Sequence, residues 1–291
     1  AKAMQKTGKI KLLSVVGTRP NLIKLAPIAR VLQERDDVEH VIVHTGQHYD
    51  EKMSKTFFIE LGMPEPDVYL GVGSGTHAEQ TGAVMIKVEQ LLMAEKPDLI
   101  IVVGDVNSTI AASMAAAKLN IPVAHVEAGL RSFDRQMPEE INRILTDSIS
   151  DYLFVTEQAG LDNLKNDGVD ETKVHFVGNC MIDSLVEHLE KAAESSILND
   201  LGVDENEYAL MTLHRPSNVD NREVMSGIFK ALDKIQSDMP IIFPIHPRTK
   251  KMLDALGLNA DMERMSNIKL TDPLGYLPFL RLMSRAKLIV T

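Results

Sequence analysis

Short runs of aliphatic and β-branched residues recur along the chain, and several carry no polar alternation. Ile10–Val16, Val38–His44, Leu99–Val103, Val123–Val126 and Tyr152–Val155 are of this kind. A strand that is apolar on both sides is one buried on both sides, the condition of a parallel sheet covered by helices. Helical patterns fall between these runs, at Leu22–Glu34, Met53–Leu61, His77–Glu95, Ser108–Leu119 and Pro138–Ser150. Strand–helix alternation of this kind predicts a doubly wound α/β sheet with right-handed crossovers. The pattern then starts again. Strands are expected at Val174–Val177, Tyr208–Leu213, Ile241–Ile245, Ile268–Thr271 and Leu288–Val290, with helices at Met181–Glu194, Arg222–Ser237 and Leu277–Arg285.

Two such series fit a chain of 291 residues, which is long for one domain and comfortable for two. The polar stretch Glu194–Glu207 lacks a long periodic core and puts the join between Gly178 and Glu207, giving an expected first domain of residues 1–178 and a second of 179–291. The last residues, Lys287 to Thr291, read as a buried strand, so the second domain is expected to be incomplete at its C-terminal end. Lys and Arg number 31 against 41 Asp and Glu, a net charge of −10 that excludes the basic face a nucleic-acid partner would need. No apolar run is long enough for a bilayer, and none at the start resembles a secretory leader. Cys180 is the single cysteine, so neither an internal disulfide nor a cysteine-based zinc site is expected, and the compartment expected is the cytoplasm.

In open α/β sheets ligands bind where strands run out into the following helices, so those loops are the places to read. After the first strand comes Gly17-Thr18-Arg19-Pro20, with Lys24 one turn into the helix. Gly17 would permit a tight turn, Thr18 would cap, and Arg19 and Lys24 would put two cations beside a positive helix end. That suits an anion, since helix starts ordinarily favour acids. Gly104-Asp105 follows the Leu99–Val103 run, where Asp105 could equally be a helix cap. His125-Val126-Glu127 brings an acid out of a buried strand, which is costly unless it is paired or functional. Glu139 and Glu140 open the next helix, with Arg143 four residues after Glu139. A plain helical Glu139–Arg143 ion pair is the alternative reading there. In the second series, His214-Arg215 and His246-Pro247-Arg248 end successive strands and offer imidazoles for acid–base or phosphate work. His44 and His48 are four apart, but Gly46 between them breaks any helix, and no carboxylate completes a metal set. Gly71-Val72-Gly73-Ser74-Gly75 lacks a third glycine at the spacing of a dinucleotide loop and an acid closing the next strand, and no phosphate-binding Gly-Lys-Ser/Thr loop or Gly-x-Ser-x-Gly elbow is present.

Taken in order, Gly17-Thr18-Arg19-Pro20 with Lys24, Gly104-Asp105 to Thr109, His125 to Arg131, Pro138 to Arg143 and Thr212 to Arg215 resemble the non-hydrolysing UDP-N-acetylglucosamine 2-epimerases. The resemblance implies two Rossmann-like domains facing a cleft, the GT-B arrangement, and a homodimer. It implies interconversion of UDP-N-acetylglucosamine and UDP-N-acetylmannosamine by elimination of UDP to a 2-acetamidoglucal and re-addition, with no metal and no nicotinamide cofactor. It assigns Asp105, Glu127 and Glu139 collectively to proton transfer, with His214 in the catalytic set on the diphosphate side. Arg19, Lys24, Arg143 and His246 would bind substrate, and Gln47 and His48 would lie at an allosteric nucleotide-sugar site. The family's Asp-Ser-Gly-Gly-Ile-Gln-Glu-Glu segment would follow the last strand. A hydrolysing epimerase, an epimerase of a diacetamido uronic acid, a GT-B glycosyltransferase and a nucleotide-sugar-binding protein without activity are the rival readings.

Overall fold

A computed structural model describes residues 8–47, 57–213 and 221–291. The chain forms two compact units, Ala1–Val186 and Glu187–Thr291. The division falls later than residue 178 because the helix that begins at Cys180 packs its first turns with the first unit: the Ser184 hydroxyl donates to the Ile23 carbonyl at 2.6 Å.

The first unit contains strands β1 (Ile10–Val16), β2 (Val38–His44), β3 (Val68–Tyr69), β4 (Leu99–Val103), β5 (Val123–Ala128), β6 (Tyr152–Val155) and β7 (Val174–Phe176). Its helices are α1 (Arg19–Gln33), α2 (His77–Glu95), α3 (Asn107–Lys118), α4 (Pro138–Ile149) and α5 (Gln158–Asn166), and α6 (Cys180–Ala193) spans the division. The strands form one sheet in the order β3-β2-β1-β4-β5-β6-β7, with every pair parallel. The apolar runs explain this: the successive pairs Val15 and Val16, and Val102 and Val103, are all at most 2% exposed, so both faces of the central strands are covered. Each such side chain contributes about 1.5–3 kcal/mol by leaving water. Helix α3 lies close to the sheet because Ala111, Ala112, Ala115 and Ala116 form its inner face. Two elements, β3 and α5, are not expected from the sequence; β3 is only two residues long, too short for any periodicity. The expected helix Met53–Leu61 lies in part outside the described residues.

The second unit carries α7 (Ile197–Leu201), β8 (Ala209–Met211), α8 (Arg222–Asp238), β9 (Ile241–Pro244), α9 (Pro247–Leu256), α10 (Asn259–Arg264), β10 (Ile268–Thr271), α11 (Tyr276–Arg285) and β11 (Leu288–Val290). Its parallel sheet runs β10-β9-β8-β11. Tyr208, wholly buried at the entry to β8, donates its hydroxyl to the Leu282 carbonyl at 2.6 Å, and burial pushes its phenol up to about 12. No described helix is long and apolar enough to cross a membrane.

Candidate active site

The strand order of the first unit reverses direction between β1 and β4, which pair side by side. A crevice opens at such a switch point, outside the carboxyl ends of the strands, and the loops after β1, β4 and β5 surround it. Arg19, Lys24, Asp105 and Glu127 all lie on or just beyond these three strand ends.

After β1, Thr18 is the N-cap of α1, as expected. The staple of this turn is Asn21, a residue that motif reasoning does not single out. Its Oδ1 accepts from the Gly17 and Thr18 amides, each at 3.2 Å, and its Nδ2 donates to the Val103 carbonyl at 3.0 Å. Gly17 is required by space and not by backbone conformation, since its φ is not positive. A Cβ there would lie 2.3 Å from Ser108 Oγ. No acid stands in the first turn of α1, so its positive end is unopposed by its own sequence. Arg19 is half-buried with its guanidinium 5.9 Å from the centre of the Phe57 ring.

Lys24 is 8% exposed, and its Nζ donates to Glu127 Oε1 at 2.6 Å. Glu127 reaches it through an unusual backbone. The β5–β6 register shifts between Val126 and Ala128, and Glu127 takes φ +73°, a region that residues with a Cβ seldom occupy. The bulge turns the carboxylate out of the alternation of the strand. Strain held at such a point marks functional sites.

Asp105 is not a cap: Val106 holds that position at the start of α3. Its carboxylate pairs with the Arg143 guanidinium, and its carbonyl accepts from Asn142 Nδ2 at 2.9 Å. The Glu139–Arg143 helical pair is therefore not formed. Arg143 turns to Asp105 and to Glu140, 3.3 Å from Glu140 Oε2. Its buried Nε finds no hydrogen-bond partner among the described residues.

The two acids that open α4 divide their work. Glu140, 1% exposed, accepts from the Ser132 amide at 2.8 Å, the Ser132 hydroxyl at 2.9 Å and the Phe133 amide at 3.0 Å. Burial opposes its charge, but these bonds and Arg143 outweigh burial and hold its carboxyl below the usual range. Glu139 is half-buried, and its carboxylate makes no hydrogen bond or ion pair with any described residue. The three carboxylates thus come from two strand ends and one helix start.

Of the other expected residues, Gln47 is 6% exposed, and its Oε1 accepts from Ser108 Oγ at 2.7 Å and the Ser108 amide at 3.1 Å. That places it in the packing of α3 against the end of β2. His246 follows β9 in the second unit and is exposed. His48 and His214 lie outside the described residues. Among the described residues no group of three or more His, Cys, Asp or Glu could hold a metal ion.

Sequence reasoning missed a second layer behind these side chains. Asn107 Nδ2 donates to Gln80 Oε1 at 2.9 Å, and Asn142 links Asn107 to the Asp105 loop. Wholly buried His125 meets Asp147 at 2.7 Å and the Gly104 carbonyl at 2.8 Å. The available signal was a histidine two residues before Glu127 in a strand whose other residues are apolar, followed by a helix with an acid in its last turn.

A family model described as UDP-N-acetylglucosamine 2-epimerase matches residues 30–291. The UDP-N-acetylglucosamine 2-epimerase of Methanocaldococcus jannaschii is 47% identical over 97% of this chain and 78% of its own length. The UDP-2,3-diacetamido-2,3-dideoxy-D-glucuronate 2-epimerase of Pseudomonas aeruginosa is 40% identical, over 97% of this chain and 78% of its own. The crystal structure of the M. jannaschii enzyme in complex with UDP-GlcNAc and UDP superposes with a TM-score of 0.89 at 46% identity, covering 96% of this chain and 78% of that one. The Neisseria meningitidis UDP-GlcNAc 2-epimerase bound to UDP-GlcNAc gives 0.86 at 30% identity, covering 96% and 77%. With carboxylates and cations gathered at the switch point and this likeness along nearly the whole chain, the protein belongs to the UDP-N-acetylglucosamine 2-epimerase family of enzymes.

Proposed function

We propose that the protein interconverts UDP-N-acetylglucosamine and UDP-N-acetylmannosamine by anti elimination and re-addition of UDP. The observation that carries this reading is the pairing at the switch point: Lys24 with Glu127 and Arg143 with Asp105, beside an α1 start free of acids. The hydrogen on carbon 2 is too weakly acidic for simple removal and return. Elimination solves this. A carboxylate takes the carbon 2 proton, that electron pair becomes the C1=C2 bond, and the C1–O bond breaks with its electrons leaving on UDP. Re-addition reverses the flow, with UDP oxygen closing on carbon 1 while a carboxyl group delivers the proton to the other face of carbon 2.

Asp105, Glu127 and Glu139 share these proton transfers in this reading. The negative charge gathering on the departing diphosphate calls for fixed cations close by. Lys24, Arg143 and Arg19 serve there, and the unpartnered buried Nε of Arg143 leaves a donor for a phosphate oxygen. An epimerase of the diacetamido uronic acid is the second reading, favoured by the 40% identity to the P. aeruginosa enzyme.

The test is substitution of Asp105→Asn and Glu127→Gln with product analysis. Turnover of UDP-N-acetylglucosamine should fall by about 10²–10⁴-fold in each, as expected for loss of a proton-transfer group, while UDP still binds in a titration. Activity within a few-fold of the parent would remove these residues from the chemistry. Turnover of the diacetamido uronate nucleotide with none of UDP-N-acetylglucosamine would select the second reading, and free sugar accumulating in place of epimer would select hydrolysis.

A further inference from the structure

We propose that His125 is a positioning residue for this reaction, acting through a buried pair with Asp147 that fixes the loops carrying Asp105 and Glu127. The inference rests on the functional reading above. His125 lies in β5 with no exposure, and Asp147, on α4, is 3% exposed. His125 Nδ1 is 2.7 Å from Asp147 Oδ1, and Nε2 is 2.8 Å from the carbonyl oxygen of Gly104, the residue before Asp105. Both partners are acceptors, since a carbonyl has no hydrogen to give and Asp147 already accepts from two other donors. The ring makes both bonds only when both of its nitrogens carry hydrogen.

Those other donors extend the same network to the second loop. Asp147 Oδ2 accepts from the Gly129 amide at 3.1 Å and from Arg131 at 2.6 Å, and Arg131 also reaches Asp167 at 2.8 Å. Gly129 stands two residues after Glu127. One imidazole and one carboxylate therefore tie down the backbone on the far side of both reacting acids, without touching the crevice themselves. Among the described residues the pair's hydrogen-bond partners are Arg131 and Gly129 from the loop after β5 and Gly104 from the loop after β4, with Asp167 behind Arg131; the charged groups Asp170 and Lys173 line the same cavity as Asp147 and Arg131. No bulk water competes for these bonds, so their geometry is held more firmly than a surface contact would hold it. An error of about 1 Å in placing a reacting group costs on the order of 10²-fold in rate. A broken His125–Gly104 bond would permit such an error at Asp105.

The experiment compares the parent with His125→Gln and Asp147→Asn, each near in size to the residue it replaces. His125→Gln can donate to only one of the two acceptors at a time. Asp147→Asn keeps Oδ1 in place as an acceptor for the ring and serves if the first variant does not fold. The expected result is a kcat reduced by about 30–100-fold with KM for UDP-N-acetylglucosamine and the UDP dissociation constant within about threefold of the parent. Asp147→Asn should lie between the two. Ring ¹⁵N spectra of the parent should show hydrogen on both His125 nitrogens. A kcat within threefold of the parent, or a loss that only follows the folded fraction, would overturn the proposal. So would a ring nitrogen without hydrogen in an active enzyme. A parent inactive on nucleotide sugars with both ring hydrogens present would instead sink the functional reading, and the catalytic part of this inference with it.

Discussion

Glu127 should be strained, and the strain can be separated from the charge. Its φ of +73° is on the side of the map that a Cβ makes unfavourable. Replacing Glu127 by Ala or by Gly removes the same carboxylate and leaves Lys24 equally unpartnered, so the comparison of these two variants isolates the backbone. In a regular strand Gly is about 0.5–1 kcal/mol worse than Ala, because it loses more freedom on folding. A left-handed residue with a Cβ costs about 1–2 kcal/mol, which Gly does not incur. The second effect is larger, so Glu127→Gly should be more stable than Glu127→Ala by about 0.5–1 kcal/mol, a reversal of the usual order. With a urea slope of about 2–3 kcal/mol/M, the midpoint of Glu127→Gly should lie about 0.2–0.5 M above that of Glu127→Ala. Both variants should be inactive. A midpoint for Glu127→Ala equal to or above that of Glu127→Gly would refute the strain, and with it the idea that the β5 bulge is built to aim this carboxylate.

Gly129→Ala should be severe, since φ is +80° and the new Cβ would lie 2.4 Å from the Gly160 carbonyl oxygen and 3.0 Å from its Cα, backbone that cannot swing aside. A loss above about 2 kcal/mol is expected in urea melts. Gly168→Ala, at φ +76° but in open space, should lose only about 1 kcal/mol, and equal losses would contradict the close approach. Acid stability should depend on Glu140, whose folded carboxyl is held below the ordinary value of 4.5. Its contribution is present above that value and lost as pH falls through the folded one. Glu140→Gln should therefore be less stable at pH 7 and show a flatter decline below pH 4.5, and parallel curves would refute the role. His44 works in a higher window, because burial pushes its imidazole from 6.5 to about 4. The unfolded chain takes up that proton first, so stability should fall as pH drops from 6.5 towards 4, and His44→Gln should lose that slope in a pH series of melts.

The fold was legible where the strands were buried on both faces. β1, β2 and β4 begin and end at the expected residues, and β4, an unbroken apolar run, has nothing local to compete with burial. The site was legible as a set of loops, because strand–helix alternation alone directs attention to the strand ends. What could not be read was partner choice. Arg143 at four residues from Glu139 favours a helical pair on spacing, yet the turn of the chain after β4 brings Asp105 closer in space. Glu127 itself was legible as an acid leaving a buried strand, but its bulge was not: a positive φ in a residue with a Cβ is imposed by tertiary contacts and leaves no mark in composition. His125 and Asp147, twenty-two residues apart, meet only once β5 and α4 have packed.

On the proposed mechanism, loss and return of UDP would expose carbon 2 to exchange with solvent, and proton NMR of UDP-N-acetylglucosamine with the protein in deuterated water reads that exchange itself. The manno epimer should appear with deuterium at carbon 2 and with no free sugar accumulating. Epimer that retains hydrogen at carbon 2 would contradict proton transfer through these carboxylates.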